Sequence, residues 1–325
     1  MTSARPAVKM LLTVVREEKQ TMKKQFAKFY GMMPILPTPV DAEGDIDRED
    51  IVSLVGYCVG AGAVAVGHLA GASEYAAVGR EDRETIIRCV VEAAKGKLPV
   101  FIGAAACSVQ DSVYNAKAAQ DLGADMIMLC SPPYGSGTPD EVFAFYERVC
   151  GAVNLPVIVQ DTGGSWEVFT PDFLIKLYHE IENIGYVKAE GGHWLDKMRT
   201  LTLRAPEGMQ MIGGAAGKNM MQMLDMGVTA FMTGTEAQEI HRSVVDAYLS
   251  GDREKAALLY RTTLLPYLEL YCANNYNKAL KHMLKRRGII KNDALLYPRV
   301  EANPVSEYLL GELDRVLGNI EKGEP

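Results

Sequence analysis

The sequence predicts an α/β fold: a closed (β/α)8 barrel of the TIM type with additional C-terminal helices. Three observations predict it. Eight short apolar stretches recur along the chain, without the polar–apolar alternation of a half-exposed strand, so both faces of each are buried and the sheet is parallel. Amphipathic stretches separate them. The eight units occupy about 210 residues, within the roughly 250 typical of such barrels. The competing arrangement is an open doubly wound sheet, which usually carries a GxGxxG turn after its first strand, and this chain has none there.

The first strand covers 32–37 and ends in Thr38-Pro39. Asp47 is a helix N-cap, and the helix runs over 47–61. Strands at 63–67, 98–103, 125–130 and 156–160 follow, each leading into a helix, at 80–95, 109–122, 139–153 and 171–181. The sixth strand begins at Ile184 and carries Lys188, with a helix over 194–204. Strands at 209–213 and 228–232 flank a helix at 218–226. Beyond Gly234 the chain reads as helices at 238–250, 253–272, 275–287 and 306–320. No long linker interrupts the pattern, so 31–236 form the barrel core and 237–325 a helical part of the same domain.

Residues 1–30 differ. They are basic, with Arg5, Lys9, Arg16, Lys19, Lys23, Lys24 and Lys28. The segment 9–15, a lysine followed by a short apolar core, resembles the start of a signal peptide, but Arg16-Glu17-Glu18-Lys19 follows without a small-residue cleavage site. A mitochondrial leader would avoid the two glutamates. We read the segment as a helical or disordered extension, with Met22 as an alternative start.

Composition narrows the function classes. The chain has 325 residues, 48% hydrophobic and 23% charged, enough for a sizeable core. A formal charge of -7, with no basic patch beyond the first residues, argues against nucleic acid as a partner. No apolar run approaches the roughly 18–20 residues that span a bilayer. The six cysteines form no CxxC pair and read as small buried hydrophobes in the cytoplasm. Five histidines without HExxH or HxH spacing give no metal signal.

In such a barrel the chemistry collects where the strands end. Thr38 follows the first strand and His68 to Tyr75 the second. Pro132-Pro133-Tyr134 follow the fourth, Gln160-Asp161-Thr162 the fifth, and Gly213 ends the seventh. The sixth ends in Lys188-Ala189-Glu190. An amine held among apolar neighbours has its charged form disfavoured and becomes nucleophilic toward carbonyls. The competing reading is a lysine that snorkels to water or pairs with Glu190. A lysine, a tyrosine and a Gly/Ala/Ser loop at one mouth suit imine chemistry on a 2-oxo acid. The lysine attacks the ketone, Tyr134 shuttles protons, and Gly71, Ala72 and Ser73 present N–H groups to a carboxylate. No cofactor beyond the covalent lysine–substrate imine is called for. His68, Asp161, Thr162, Ser165, Glu190 and His193 are expected at the distal end of the substrate, and Thr38 and Gly213 complete the candidate substrate site.

The order of these pieces resembles the dihydrodipicolinate synthase / N-acetylneuraminate lyase family of class I aldolases and lyases, over residues 32–300. The pieces are Pro37-Thr38-Pro39, Ala72-Ser73-Glu74 nine residues before Arg83, Gly123-Ala124-Asp125, Pro132-Pro133-Tyr134, Val187-Lys188 and Gly227-Val228-Thr229-Ala230. The resemblance implies that Lys188 is the Schiff-base lysine, that Tyr134 is the proton-relay tyrosine, and that the chain is a homotetramer or homodimer.

Departures concern the substrate. The family's GTTGE loop is here Ala70-Gly71-Ala72-Ser73-Glu74, which keeps backbone donors and loses both threonines. Its Tyr-Asn-x-Pro after the fifth strand is Gln160-Asp161-Thr162-Gly163, and Ser165 stands nearest the arginine of true dihydrodipicolinate synthases. Glu190 comes one step later than the family's glutamate. These differences favour a pyruvate-type aldolase or a 2-keto-3-deoxy sugar acid aldolase or dehydratase. Dihydrodipicolinate synthase proper and a non-catalytic sugar-acid-binding barrel are the alternatives.

Overall fold

The computed structural model describes residues 25–130, 137–161, 168–190, 193–273, 275–296 and 304–322. Eight parallel strands form one sheet: β1 (Gly31–Met32), β2 (Val66–His68), β3 (Val100–Gly103), β4 (Met126–Cys130), β5 (Val157–Asp161), β6 (Ile184–Ala189), β7 (Gln210–Gly213) and β8 (Ala230–Phe231). Each strand pairs with the next from β2 to β8, and β8 pairs with β1. Ile35 closes the ring by bridging Gly67 on one side and Gly234 on the other. Leu36 N donates to Gly67 O at 2.8 Å, and Gly67 N donates to Pro34 O at 2.9 Å. The fold is therefore the expected (β/α)8 barrel.

The barrel helices are α1 (Arg48–Gly60), α2 (Arg80–Ala94), α3 (Val109–Asp121), α4 (Pro139–Cys150), α5 (Pro171–Glu180), α6 (Trp194–Arg204) and α7 (Met220–Asp225). Capping fixes several starts. Asp47, Ser108, Thr138 and Thr170 each accept a backbone N–H of the first turn, and proline opens α4 and α5. The C-terminal part adds α8 (Gln238–Leu249), α9 (Arg253–Leu259), α10 (Leu265–Ala273), α11 (Tyr276–Arg286) and α12 (Pro304–Lys322).

Two expectations change in detail. The ladder of β1 is shorter than 32–37 because Pro34 and Pro37 have no N–H to give it. The single helix expected over 253–272 is interrupted by a π-turn at Tyr260–Leu264, just before Pro266. Proline cannot donate to the carbonyl four residues back, and the wider turn absorbs the mismatch.

Residues 25–30 lie against the N-terminal ends of the strands. Tyr186 donates its hydroxyl to Ala27 O at 2.7 Å, and Phe29 N donates to Gln210 Oε1 at 2.9 Å. The Phe26 ring covers Gly185, where any Cβ would collide with it. The end of the sequence-defined extension thus caps the barrel floor. Met22 lies outside the described residues.

Candidate active site

β6 is buried along its whole length and carries Lys188 to the C-terminal mouth. Lys188 Nζ lies 2.7 Å from Glu190 Oε2, with side-chain exposures of 5% and 18%. The two side chains leave the same face of the strand because they stand two residues apart. Glu190 is held from two further directions. Gln160 Nε2, on neighbouring β5, donates to Oε2 at 2.9 Å, and Ala215 N donates to Oε1 at 2.6 Å. Gly214 leaves the space that the carboxylate fills. Burial alone would raise the Glu190 carboxyl, but the charge of Lys188 and the bonds from Ala215, Lys188 and Gln160 outweigh it, leaving the group below the usual glutamate range.

A cavity of about 420 Å³ opens over this pair. Gly71 and Ala72 line it, as do Gln160, Ala215, Ala216, Lys218 and Thr233. Cys272 and Tyr276 reach it from the C-terminal helices. A larger hollow of about 690 Å³ lies beside Pro99 and Asp125, at the opposite, N-terminal ends of the strands, where barrels of this kind do not keep their chemistry.

Backbone strain concentrates at the same mouth. Among the described residues, the non-glycine residues with positive φ are Leu69 and Glu74 after β2, His193 after β6, and Ala215, Ala216 and Asn219 after β7. The left-handed conformation costs an alanine about 1–2 kcal/mol, and Ala215 and Ala216 adopt it in succession. Such strain, maintained by the surrounding structure, is a mark of functional sites.

The structure corrects several expectations. Thr38 and Ser73 are fully buried and use their hydroxyls inside the loop. Thr38 Oγ1 donates to Ser73 O at 2.5 Å, and Ser73 Oγ donates to Leu36 O at 2.6 Å. Neither lines the cavity, so the hydroxyl expected from Ser73 is not offered to a substrate. Asp161 is buried and engaged by Lys197 of α6, tying β5 to that helix. Gly213 packs under Phe231, with no room there for a side chain. His68 is buried too. Leu69 N donates to its Nδ1 at 2.7 Å, and burial pushes its pKa down to about 3, so it is a neutral core imidazole. His193 is exposed at the head of α6. Tyr134, Thr162 and Ser165 lie outside the described residues. Among the described residues no three His, Cys, Asp or Glu side chains are grouped to hold a metal ion, and no helix is long and apolar enough to cross a membrane.

Sequence reasoning missed Tyr276, Cys272 and Lys218. Tyr276 opens α11 behind the N-cap Asn275, and nothing in helix periodicity says which turn of a distant helix meets a barrel mouth.

A parallel barrel with a buried lysine–carboxylate pair at its mouth has the frame of an imine-forming lyase. The profile of the Dihydrodipicolinate synthetase family matches residues 28–315, and the chain belongs to that family. It is a lyase that acts on a 2-oxo acid through a lysine Schiff base. The chain is similar to the L-2-keto-3-deoxyarabonate dehydratase of Azospirillum brasilense, 27% identical over 84% of this chain and 90% of that protein. It is 26% identical to the 4-hydroxy-tetrahydrodipicolinate synthase of Thioalkalivibrio sulfidiphilus, over 81% and 89%. The solved dihydrodipicolinate synthase of Thermotoga maritima shares the fold with a TM-score of 0.82 at 23% identity, over 90% of this chain and 99% of that one. A prophage protein from E. coli K12, solved with pyruvate, shares it with a TM-score of 0.81 at 22% identity, over 91% and 99%.

Proposed function

We propose that the protein is a hydro-lyase for 2-keto-3-deoxy sugar acids and that Lys188 is its Schiff-base lysine. The observation that carries this reading is that Lys188, buried at the end of β6, opens on a strand-end cavity, where the pairing with Glu190 at 2.7 Å, which a purely structural lysine would also make, sets a proton acceptor beside the amine. The N–H groups of the Gly71–Ala72 turn are the donors for the substrate carboxylate, since the Thr38 and Ser73 hydroxyls are used within the loop.

Lys188 gives its proton to Glu190 and adds to the C2 ketone. Tyr134, on the family resemblance, moves a proton from the new C–N nitrogen to the former carbonyl oxygen. Glu190 returns the Lys188 proton to that oxygen, which leaves as water, and the resulting iminium acidifies C3. Glu190, a carboxylate again, takes a C3 proton and passes it to the C4 hydroxyl, which the enamine expels as water.

Two further points favour a sugar acid over the dihydrodipicolinate reaction. The similar dehydratase of Azospirillum brasilense handles a keto-deoxy acid by name. Ser165 also stands where an arginine for a second carboxylate would be expected. We further propose a cytoplasmic homotetramer or homodimer; the exposed Leu258, Leu265, Val305 and Tyr308 of the C-terminal helices offer apolar surface for it.

The test is a panel of 2-keto-3-deoxy sugar acids followed by proton NMR. Water loss without pyruvate release is expected, and Lys188→Ala should abolish it. Release of pyruvate would replace the hydro-lyase reading by an aldolase. Full turnover by Lys188→Ala would end the imine mechanism.

A further inference from the structure

We propose that His241 is a positioning residue for Glu190, and that it acts through the Ala215–Ala216 turn only while its imidazole carries two N–H groups. This rests on the reading of Lys188 and Glu190 as the reacting pair. The contacts form an unbroken chain. His241 belongs to α8 and is 1% exposed. Its Nδ1 lies 2.8 Å from Ala237 O, and its Nε2 lies 3.0 Å from Ala216 O. The preceding residue, Ala215, donates its N–H to Glu190 Oε1 at 2.6 Å, and the other oxygen of that carboxylate meets Lys188 Nζ at 2.7 Å. Gly217 makes room for the ring: a Cβ there would fall 2.9 Å from His241 Cδ2 and 3.1 Å from Nε2.

The turn needs such a brace. Ala215 and Ala216 hold φ of 50° and 57°, a conformation that a side chain disfavours. The bonds the turn makes to itself run from Gly217 N to Gly214 O at 2.9 Å and from Lys218 N to Ala215 O at 3.0 Å. The Ala216 carbonyl is engaged instead by His241, from outside the turn. Both partners of the imidazole are carbonyl oxygens, which accept and never donate. A neutral ring has one N–H and one lone pair, so one of its two contacts would set lone pair against lone pair. Only the doubly protonated ring satisfies both. On loss of a proton the contact that yields is the one to Ala216. Ala237 O is fixed in the helix by His241 N at 3.2 Å, whereas the strained turn relaxes when released. The Ala215 N–H then leaves Glu190, and the carboxylate loses its alignment with Lys188.

Other titratable groups face the ring or its turn. Tyr267 of α10 meets the imidazole edge-on, with centroids 6.0 Å apart. Glu236, just before α8, feels the charge of the ring, which draws its carboxyl down while burial pushes it up. Tyr260, from the π-turn, accepts from Asn219 N at 3.1 Å on the far side of the same loop. On α8 itself, Glu239 is held by Arg287 and Arg242 by Asp246.

The test uses the full chain and pyruvate, which has no C4 hydroxyl and so reports imine formation alone. Samples are quenched with borohydride at intervals across a range of pH, and the mass adduct is counted. Protein labelled with 15N in histidine and alanine is titrated in parallel by NMR. The wild-type trapping rate should fall about tenfold as pH rises through the His241 titration, the scale of one hydrogen bond to a charged group. The Ala215 amide signal should move over the same interval. His241→Gln offers Ala216 an N–H that does not titrate. It should lose the fall with pH, and at high pH it should trap faster than wild type. His241→Leu removes the brace and should be slow and flat with pH; the glutamine variant carries the test alone where the leucine variant does not fold. A fall of wild-type size in His241→Gln would assign it to another group, such as Glu236, and overturn the brace. So would a wild-type fall that does not follow the His241 signals. No adduct in wild type would remove the Schiff-base reading itself, and the brace would then stand or fall on whether the Ala215 amide follows His241.

Discussion

Glu74 Oε1 and Lys281 Nζ meet at 2.7 Å with side chains 1% and 0% exposed. The pair joins the turn that follows β2 to α11, more than two hundred residues later in the chain. Leu296 N donates to Glu74 Oε2 at 2.9 Å, and Lys281 Nζ also donates to Ala294 O at 2.7 Å. One buried ion pair therefore positions both the Gly71–Ala72 wall of the cavity and the helix that presents Tyr276.

Lys281→Met should be strongly destabilising. It strands a buried carboxylate, a loss of about 3–5 kcal/mol. Glu74→Gln should lose a similar amount by stranding the ammonium, whose pKa burial already depresses. The double variant should lose clearly less than the sum of the two. Urea unfolding of the three variants measures this, and strictly additive losses would show that the pair is not coupled.

Glu190→Gln should keep the fold and slow imine formation, because the amide cannot take the Lys188 proton. About 100-fold is expected for a lost general base. The sign of the pH effect follows from the shift. The folded pKa of Glu190 is depressed, so its function as a base is fully present above the ordinary value of 4.5 and is lost only as pH falls through the lower, folded pKa. Trapping rates between neutral pH and 4.5 should therefore show no acid limb from this group. A limb centred on the ordinary glutamate value would mean that Lys188 and Glu190 are not paired in solution.

The barrel was legible because strands buried on both faces leave continuous apolar runs, and because Asp47 announces a helix start chemically; Ser108, Thr138 and Thr170 do the same for three more helices but went unread. Lys188 was legible for a related reason, since a charge at the end of such a run is costly; Glu190 was not, for it was expected at the distal end of the substrate and paired with Lys188 only in the competing reading, whereas its carboxylate lies on Lys188 Nζ. Asp161 was misread by direction. It does end β5, but its side chain turns to Lys197 on the barrel's outer layer, and alternation along a strand only gives two faces without saying which one a loop will cover. Thr38 and Ser73 show the limit of residue type. A hydroxyl at a strand end can serve a ligand or its own loop, and only the carbonyls of Ser73 and Leu36 decide it. Ala215 and Ala216 carry no signal at all, since alanine does not favour the left-handed turn that brings an N–H to Glu190.

Gly214→Ala tests the placement of that carboxylate without touching it. Gly214 has a negative φ, but its ψ of -138° lies outside the regions that other residues favour, so alanine brings some backbone strain there. Its new Cβ would also fall well inside contact distance of Glu190 Oε1. The carboxylate is the far end of a flexible side chain and will swing aside, giving up the Ala215 N–H and its alignment with Lys188. The melting temperature should fall modestly from the strain at this position, and the rate of imine trapping should fall toward that of Glu190→Gln. Combining the two substitutions should add almost nothing further, because both remove the same proton acceptor. A Gly214→Ala protein with wild-type trapping rates would show that Glu190 has no positional role in the reaction.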